Sequence, residues 1–414
     1  MNANTGLGKN PIAHRMTSVQ PSASMAALAD IGRLRSEGRD IISLTVGEPD
    51  FAPPQAVIEA MQDALRRGQT GYKVVNRPLV DAIRHRFHAN NQLAYDDAQI
   101  SVGTGLKQII FAAFCATLNE GDEVVIPAPY WVSYPDIAKL YGGVPIEVPC
   151  TEDLRFKLTP GVLRERITER TRWLVLNSPN NPTGAVYSRK ELSELGEVLR
   201  DYSDCLILSD EIYEHFIFGD TQFTAFAQAN PDLLDRTLTA NGVSKAYALA
   251  GMRLGYAAGP SWLIKAINSI ISQDTSCAGT ISQAGALAAL TGDQSALERN
   301  RAVYEARSKR LVQALNAIPG FDCVEPQGAF YVFPSVAGLL GATCPDGTIL
   351  ETDTDVAAYF VQAAHVATMP GSAYGLSPYL RMSFATSDSL IDRACQQIAS
   401  AVQRLTLANK GEPA

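Results

Sequence analysis

The stretch "RWLVLNSPNNPTG" (Arg172–Gly184) decides how this chain folds. Trp173, Leu174, Val175 and Leu176 follow one another with no polar alternation, which predicts a strand covered on both faces. The Pro, Asn and Gly cluster behind it predicts a turn. Working outward, "EVVIPA" (123–128) and "CLILSD" (205–210) repeat the pattern, each ending at a turn signal. Helical periods lie between such runs. "LKQIIFAAFCATL" (106–118) has apolar residues at 106, 109, 110, 113 and 114, and "AVIEAMQDALRRG" (56–68) closes at Gly68. This alternation, from about residue 55 to 300, predicts a parallel α/β sheet with helical crossovers. A charged helix, "ALERNRAVYEARSKRLVQALNA" (296–317), then leads out. Strand-like "GAFYVFPS" (328–335), a polar insertion at 341–355 and "YLRMSFATS" (379–387) predict a smaller α+β domain. The expected division is a large α/β domain at 52–300 and a small domain made of 1–51 and 301–414.

The 414 residues exceed the size at which one core usually stops growing, so two domains are expected. Hydrophobic content of 46% and charged content of 19% fit a soluble protein. A net charge of −8 leaves no basic excess for nucleic acid, and no apolar run reaches the ~20 residues that span a bilayer. The seven cysteines are scattered and never spaced C-x-x-C, which predicts reduced thiols and a cytoplasmic protein. His85 and His88 share a helix face without a third ligand nearby, so no metal is expected.

Ligands of open α/β sheets bind beyond the carboxyl ends of strands. After "QISV" (99–102) comes "GTGLKQ", a Gly-rich turn opening a helix, whose free amides suit a phosphate. It has neither the P-loop nor the dinucleotide spacing. "APYWVSYP" puts the rings of Tyr130 and Trp131 at the next strand end, and "NSPNNPTG" puts the Asn181 amide in a Pro-stiffened turn. "LSDEIYEHF" places Asp210 directly after a strand and Tyr213 three residues on. "NGVSKAYALAGMRLGYAAGP" (Asn241–Pro260) sets Lys245 and Arg253 among small and apolar residues, where a cation needs a partner. Each feature alone has a structural explanation. Together they match pyridoxal phosphate, which has a phosphate to cradle and a ring to stack. Its pyridine nitrogen needs an acid, its phenolic oxygen accepts hydrogen bonds, and its aldehyde condenses with a lysine.

With "LTVGEPDF" (44–51), "PAPYWVSYP", "NSPNNPTG", "SDEIYE", "GVSKAYALAGMRLGY" and "LRMS" in this order, the chain resembles the fold-type I, class I/II pyridoxal-phosphate aminotransferases. It is most similar to the aspartate aminotransferase family, in the subgroup with a lysine in the phosphate turn. The resemblance implies a large domain with a mostly parallel mixed sheet flanked by helices, plus a smaller α+β domain. It implies that Lys245 holds the cofactor as a Schiff base and shuttles the α-proton. Asp210 partners the ring nitrogen, Tyr213 and Asn181 the phenolic oxygen, and Trp131 stacks on the ring. Gly105, Leu106, Lys107, Ser244 and Arg253 form the phosphate site. Tyr72 reaches the cofactor of a neighbouring subunit, implying a homodimer with shared sites. Arg381 clamps the substrate α-carboxylate, with Gly47, Asn181 and Trp131 beside it. The alternation of Leu380, Met382 and Phe384 with Arg381 and Ser383 turns Arg381 off the apolar face. Lys107, supported by Ser24, reads a distal carboxylate. The implied reaction moves an amino group between aspartate or glutamate and a 2-oxoacid, with prephenate or a specialised amino acid as alternatives. Another reaction of the same cofactor is a further alternative, while a winged-helix regulator is not expected, because the residues ahead of the large domain resemble the family's own N-terminal segment. The chain departs from the family pattern at "YKVVNRPLVDAIR", at Leu106 and Gly242, and at Met252, where tryptophan is usual.

Overall fold

Both faces of the apolar runs are covered, which is why they carry no polar alternation. The computed structural model describes residues 12–19, 21 and 23–407. Its strands, in chain order, are β1 (Ile42–Ser43), β2 (Ile100–Gly103), β3 (Glu123–Ala128), β4 (Val144–Pro149), β5 (Thr171–Asn177) and β6 (Leu206–Asp210). They continue as β7 (Thr237–Gly242), β8 (Gly255–Ala258), β9 (Tyr331–Val332), β10 (Val366–Ala367), β11 (Met369–Pro370) and β12 (Leu380–Ser383). Seven form one sheet in the order β2-β8-β7-β6-β5-β3-β4. Only β8 pairs antiparallel with its neighbours, so six strands run one way.

In β5, Trp173 and Val175 pack with Ile109, Phe114 and Leu208 on one face. Leu174 and Leu176 pack with Leu192, Leu195 and Ile207 on the other. All four β5 side chains are at most 2% exposed, and each such burial contributes about 1.5–3 kcal/mol. The helix expected at 106–118 spans Leu106–Thr117, and the one expected at 56–68 spans Gln55–Arg66, with Gly68 in the left-handed region beyond it (φ 67°).

The C-terminal part holds the antiparallel trio β11-β12-β9 and the parallel pair β1-β10, which joins the N-terminal segment to it. Its core contains Ile42, Leu44, Phe330, Val332, Leu380, Met382 and Phe384. The helix Ser295–Asn316 serves two cores. Leu297 packs with residues such as Val57, Val102 and Tyr256 beside the large sheet, whereas Tyr304, Leu311 and Leu315 enter the C-terminal core. No described helix is long and apolar enough to cross a membrane.

Candidate active site

Shared strand direction brings the chemistry to one edge. The carboxyl ends of β2, β3, β5, β6 and β7 lie there, and the amino end of the reversed β8 joins them. Asn177, Asp210 and Ala240 stand in one row of the register, and Gly103, Gly255 and Gly242 in another. A cavity of about 420 Å³ opens above this edge, closed by Thr45–Glu48 and by Arg381 of β12.

Lys245 projects into the cavity from the turn after β7, and its Nζ donates to the Gly47 carbonyl at 2.6 Å. Burial holds its amine down to about 8; Glu48 and Asp210 oppose the shift, while Arg381 and Arg253 reinforce it. Asp210 is 5% exposed. Its Oδ2 accepts from the Tyr134 hydroxyl at 2.6 Å and its Oδ1 from the Ile212 amide at 3.2 Å. Burial raises its carboxyl to about 6, outweighing those bonds and Lys245. Tyr213 and Tyr331 share a hydroxyl contact of 3.0 Å. Asn181 is fixed through its own amide, which donates to Asn177 Oδ1 at 2.8 Å, and its Oδ1 accepts from Arg381 Nη1 at 3.3 Å. Arg381 lies off the apolar face, as the alternation predicted, yet it is only 3% exposed. It stacks over Tyr331 (4.7 Å) and Tyr374 (5.1 Å), donates to the Thr45 carbonyl, and leaves its Nε without a partner. A Cβ on Gly47 would stand 2.9 Å from the Tyr331 hydroxyl, so that backbone needs its glycine.

At the other end, helix Leu106–Thr117 begins at Gly105 with no side-chain cap, leaving the Leu106 and Lys107 amides without helical partners. Gly105 is in the left-handed region (φ 81°), and the Arg253 guanidinium leaves no space for a Cβ there. Arg253 is itself left-handed (φ 51°), a strained choice for a side-chain-bearing residue, and its Nη1 donates to the Ala250 carbonyl at 2.7 Å. Lys107 Nζ sits 4.8 Å from the Trp131 ring centroid, its pKa lowered by burial and then by Arg253. Ser244, 7% exposed, lines the same cavity. Among the described residues, Lys107, Arg253 and Arg381 form no ion pair. The arrangement can take up anions at more than one point, hold a planar group against Trp131, and present an amine poised to lose its proton.

Residues 39–398 match the family model for aminotransferase class I and II. The chain belongs to that family. It is 46% identical over 396 residues to the aspartate aminotransferase of Rhizobium meliloti (strain 1021), covering 95% of this chain and 97% of that one. It is also 46% identical over 385 residues to the aspartate/prephenate aminotransferase of Cereibacter sphaeroides, covering 92% and 96%. A crystal structure of the Rhizobium meliloti aspartate aminotransferase superposes with a TM-score of 0.93 at 45% identity, covering 96% of this chain and 100% of that one.

Not every anticipated residue of this aminotransferase meets in the cavity. Tyr72 is 94% exposed, on a segment held by Gln283, whose Nε2 donates to the Lys73 carbonyl at 3.0 Å. Ser24 falls in the helix Ala23–Ser36, and its side chain lies outside the described residues. Tyr134, Asn177, Tyr331 and Glu48 also line the cavity and went unanticipated. Tyr134 had a signal, since it stands in "APYWVSYP" beside Trp131.

Proposed function

We propose that this chain is a pyridoxal-phosphate-dependent aminotransferase moving amino groups between aspartate or glutamate and 2-oxoglutarate or oxaloacetate, by a ping-pong scheme. One observation carries the reading: a single cavity holds Lys107, Arg253 and Arg381 without ion pairs among the described residues, together with Lys245, whose pKa burial lowers. Those cations suit one phosphate and the two carboxylates of a dicarboxylic substrate. The residues present fit the cofactor. The Leu106 and Lys107 amides and Arg253 would hold its phosphate, assisted by Ser244. Trp131 would cover its ring, with Tyr213 and Asn181 at its phenolic oxygen. Asp210 is a buried carboxylate with no Lys or Arg at ion-pair distance among the described residues, so a protonated ring nitrogen would offset its burial.

Bound pyridoxal phosphate supplies an aldehyde that condenses with amines and a ring that takes up the electron pair left when an α-proton departs. The rest is performed by this chain. Arg381, already stacked and bonded, binds the α-carboxylate and so aims the α-hydrogen. Lys245, its proton affinity lowered by burial, takes that proton and returns it. The enclosing wall at Thr45–Glu48 keeps water from the exchange. Lys107, with Ser24, reads the distal carboxylate. Met25 and Leu28, apolar at the cavity mouth, favour a second substrate with a ring, such as prephenate.

The same reading includes a homodimer, supported by the outward Tyr72 and by Val74 at 87% exposure. It includes a cytoplasmic location and the division at 52–300 against 1–51 and 301–414, which the two-core helix Ser295–Asn316 supports. The test is a panel of amino donors against 2-oxoglutarate, oxaloacetate and pyruvate, run with wild type and Lys107→Ala. Wild type is expected to prefer the dicarboxylic pair. The variant is expected to raise KM for aspartate at least ~10-fold, with little change for an aromatic donor. Equal rises for both donors refute the distal-carboxylate role, and no transamination of any donor refutes the reaction.

A further inference from the structure

Behind the cavity lies a carboxylate that no role above uses. The Glu214 side chain is 6% exposed, and its nearest basic neighbour is His215, with Nε2 3.5 Å from Oε1. Burial lowers the His215 pKa and favours its neutral form. Two side-chain amides hold Glu214 instead. Oε1 accepts from Asn241 Nδ2 at 2.8 Å and Oε2 from Asn91 Nδ2 at 2.9 Å. Asn241 is 2% exposed, and its Oδ1 accepts from the Gly242 amide at 2.8 Å, so both ends of its amide are engaged. Asn91, 1% exposed, ends the helix Arg77–Asn91. A buried carboxylate is costly unless its oxygens are bonded, and here both are.

The positions matter more than the bonds. Glu214 directly follows Tyr213, and Asn241 lies in the last two residues of β7, which delivers Lys245. We propose that Glu214 is a positioning residue that sets the spacing of Tyr213 and Lys245 by clamping Asn241 and Asn91. It does not line the cavity. Only a group that accepts at both ends satisfies two amide donors. A glutamine would turn a donor toward one of them. The inference rests on the reading of Tyr213 and Lys245 given above.

Glu214→Gln in the cofactor-loaded enzyme tests it. The variant is expected to lose ~10-fold or more in kcat with KM changed less than about threefold, because misplaced reacting groups slow turnover more than binding. The visible circular-dichroism band of the lysine-bound cofactor is expected to weaken. Adding Asn241→Asp exchanges donor for acceptor at unchanged total charge. The pair is expected to restore both readouts, a non-additivity that independent sites do not show. Wild-type kcat and an unchanged band in Glu214→Gln overturn the inference, whatever happens to Tm. So does a folded double variant that recovers neither. If Glu214→Gln fails to fold, Asn241→Ala removes one arm of the clamp, and an unaltered kcat there overturns the inference too. A wild type without the band overturns the function proposed above, whereas a band with an insensitive Glu214 overturns this inference alone.

Discussion

Lys245 and Asp210 depart from ordinary behaviour in ways that burial explains, and both departures can be read in solution. Lys245→Ala is expected to abolish the pH-sensitive absorption band of protein-bound pyridoxal phosphate, because among the described residues the one other lysine lining the cavity, Lys107, lies over the Trp131 ring instead. Survival of that band would reassign the lysine. At this scale much of the site was visible in the sequence. Asn181 and Asp210 follow strands whose apolar runs are unmistakable, so their common edge could be inferred from strand direction. Lys245 and Arg253 instead flank β7 (TLTANG) and β8 (GYAA), which carry no such run, and were placed by their motif. Their partners were less visible. Tyr134 reaches Asp210 across 76 positions, and Tyr331 reaches Tyr213 across 118. No local period encodes such pairings.

At the scale of elements, the phosphate corner depends on how closely one helix approaches the sheet. Gly103, Gly255 and Gly242 stand side by side on β2, β8 and β7. A Cβ on Gly255 would collide with the backbone at Gly105 and Leu106, and one on Gly103 would lie 2.9 Å from Ile109 Cγ1. Gly255→Ala is therefore expected to lift the start of helix Leu106–Thr117, costing about 1–3 kcal/mol of stability, as overpacking does. It is also expected to weaken affinity for pyridoxal phosphate more than affinity for the amino acid. Thermal unfolding and cofactor titration check this, and unchanged cofactor affinity would count against the close approach. This row could not be read in advance, because register across three strands is a property of the folded sheet. The central strands β3, β5 and β6 could, since burial on both faces writes a continuous apolar run, which β7 (TLTANG) and β8 (GYAA) lack. The short strands of the C-terminal part were legible only as regions; "GAFYVFPS" contributes just Tyr331–Val332. Their pairing depends on partners far along the chain, not on local pattern.

Over the whole molecule, the buried groups couple stability to pH in opposite senses. In the cofactor-free protein, Asp210, raised to about 6, keeps a proton that the unfolded chain releases near its ordinary value of about 4. Stability therefore falls as pH rises between about 4 and 6. Glu211, buried with Oε2 unbonded, is pushed well up and adds to the fall. Lys245, held at about 8, has lost a proton that an unfolded lysine retains to about 10.4, so its contribution rises with pH across that interval. Asp210→Asn is expected to reduce the fall between pH 4 and 6, and Asp210→Asn with Glu211→Gln to reduce it further, as measured by denaturant unfolding at each pH. An unaltered slope would place its origin elsewhere.

The glycine row also changes how a map of tolerated substitutions should look. Residues that touch a ligand are intolerant because of the atoms they bring. Gly103, Gly255 and Gly105 would be intolerant because of atoms they lack, and even alanine would register as a loss. A survey of variants that scored only chemical function would find these positions inert in kind yet damaging in effect. Intolerance without chemistry, set beside a lysine and an arginine, marks where the start of a helix has to come within touching distance of the sheet and of the arginine.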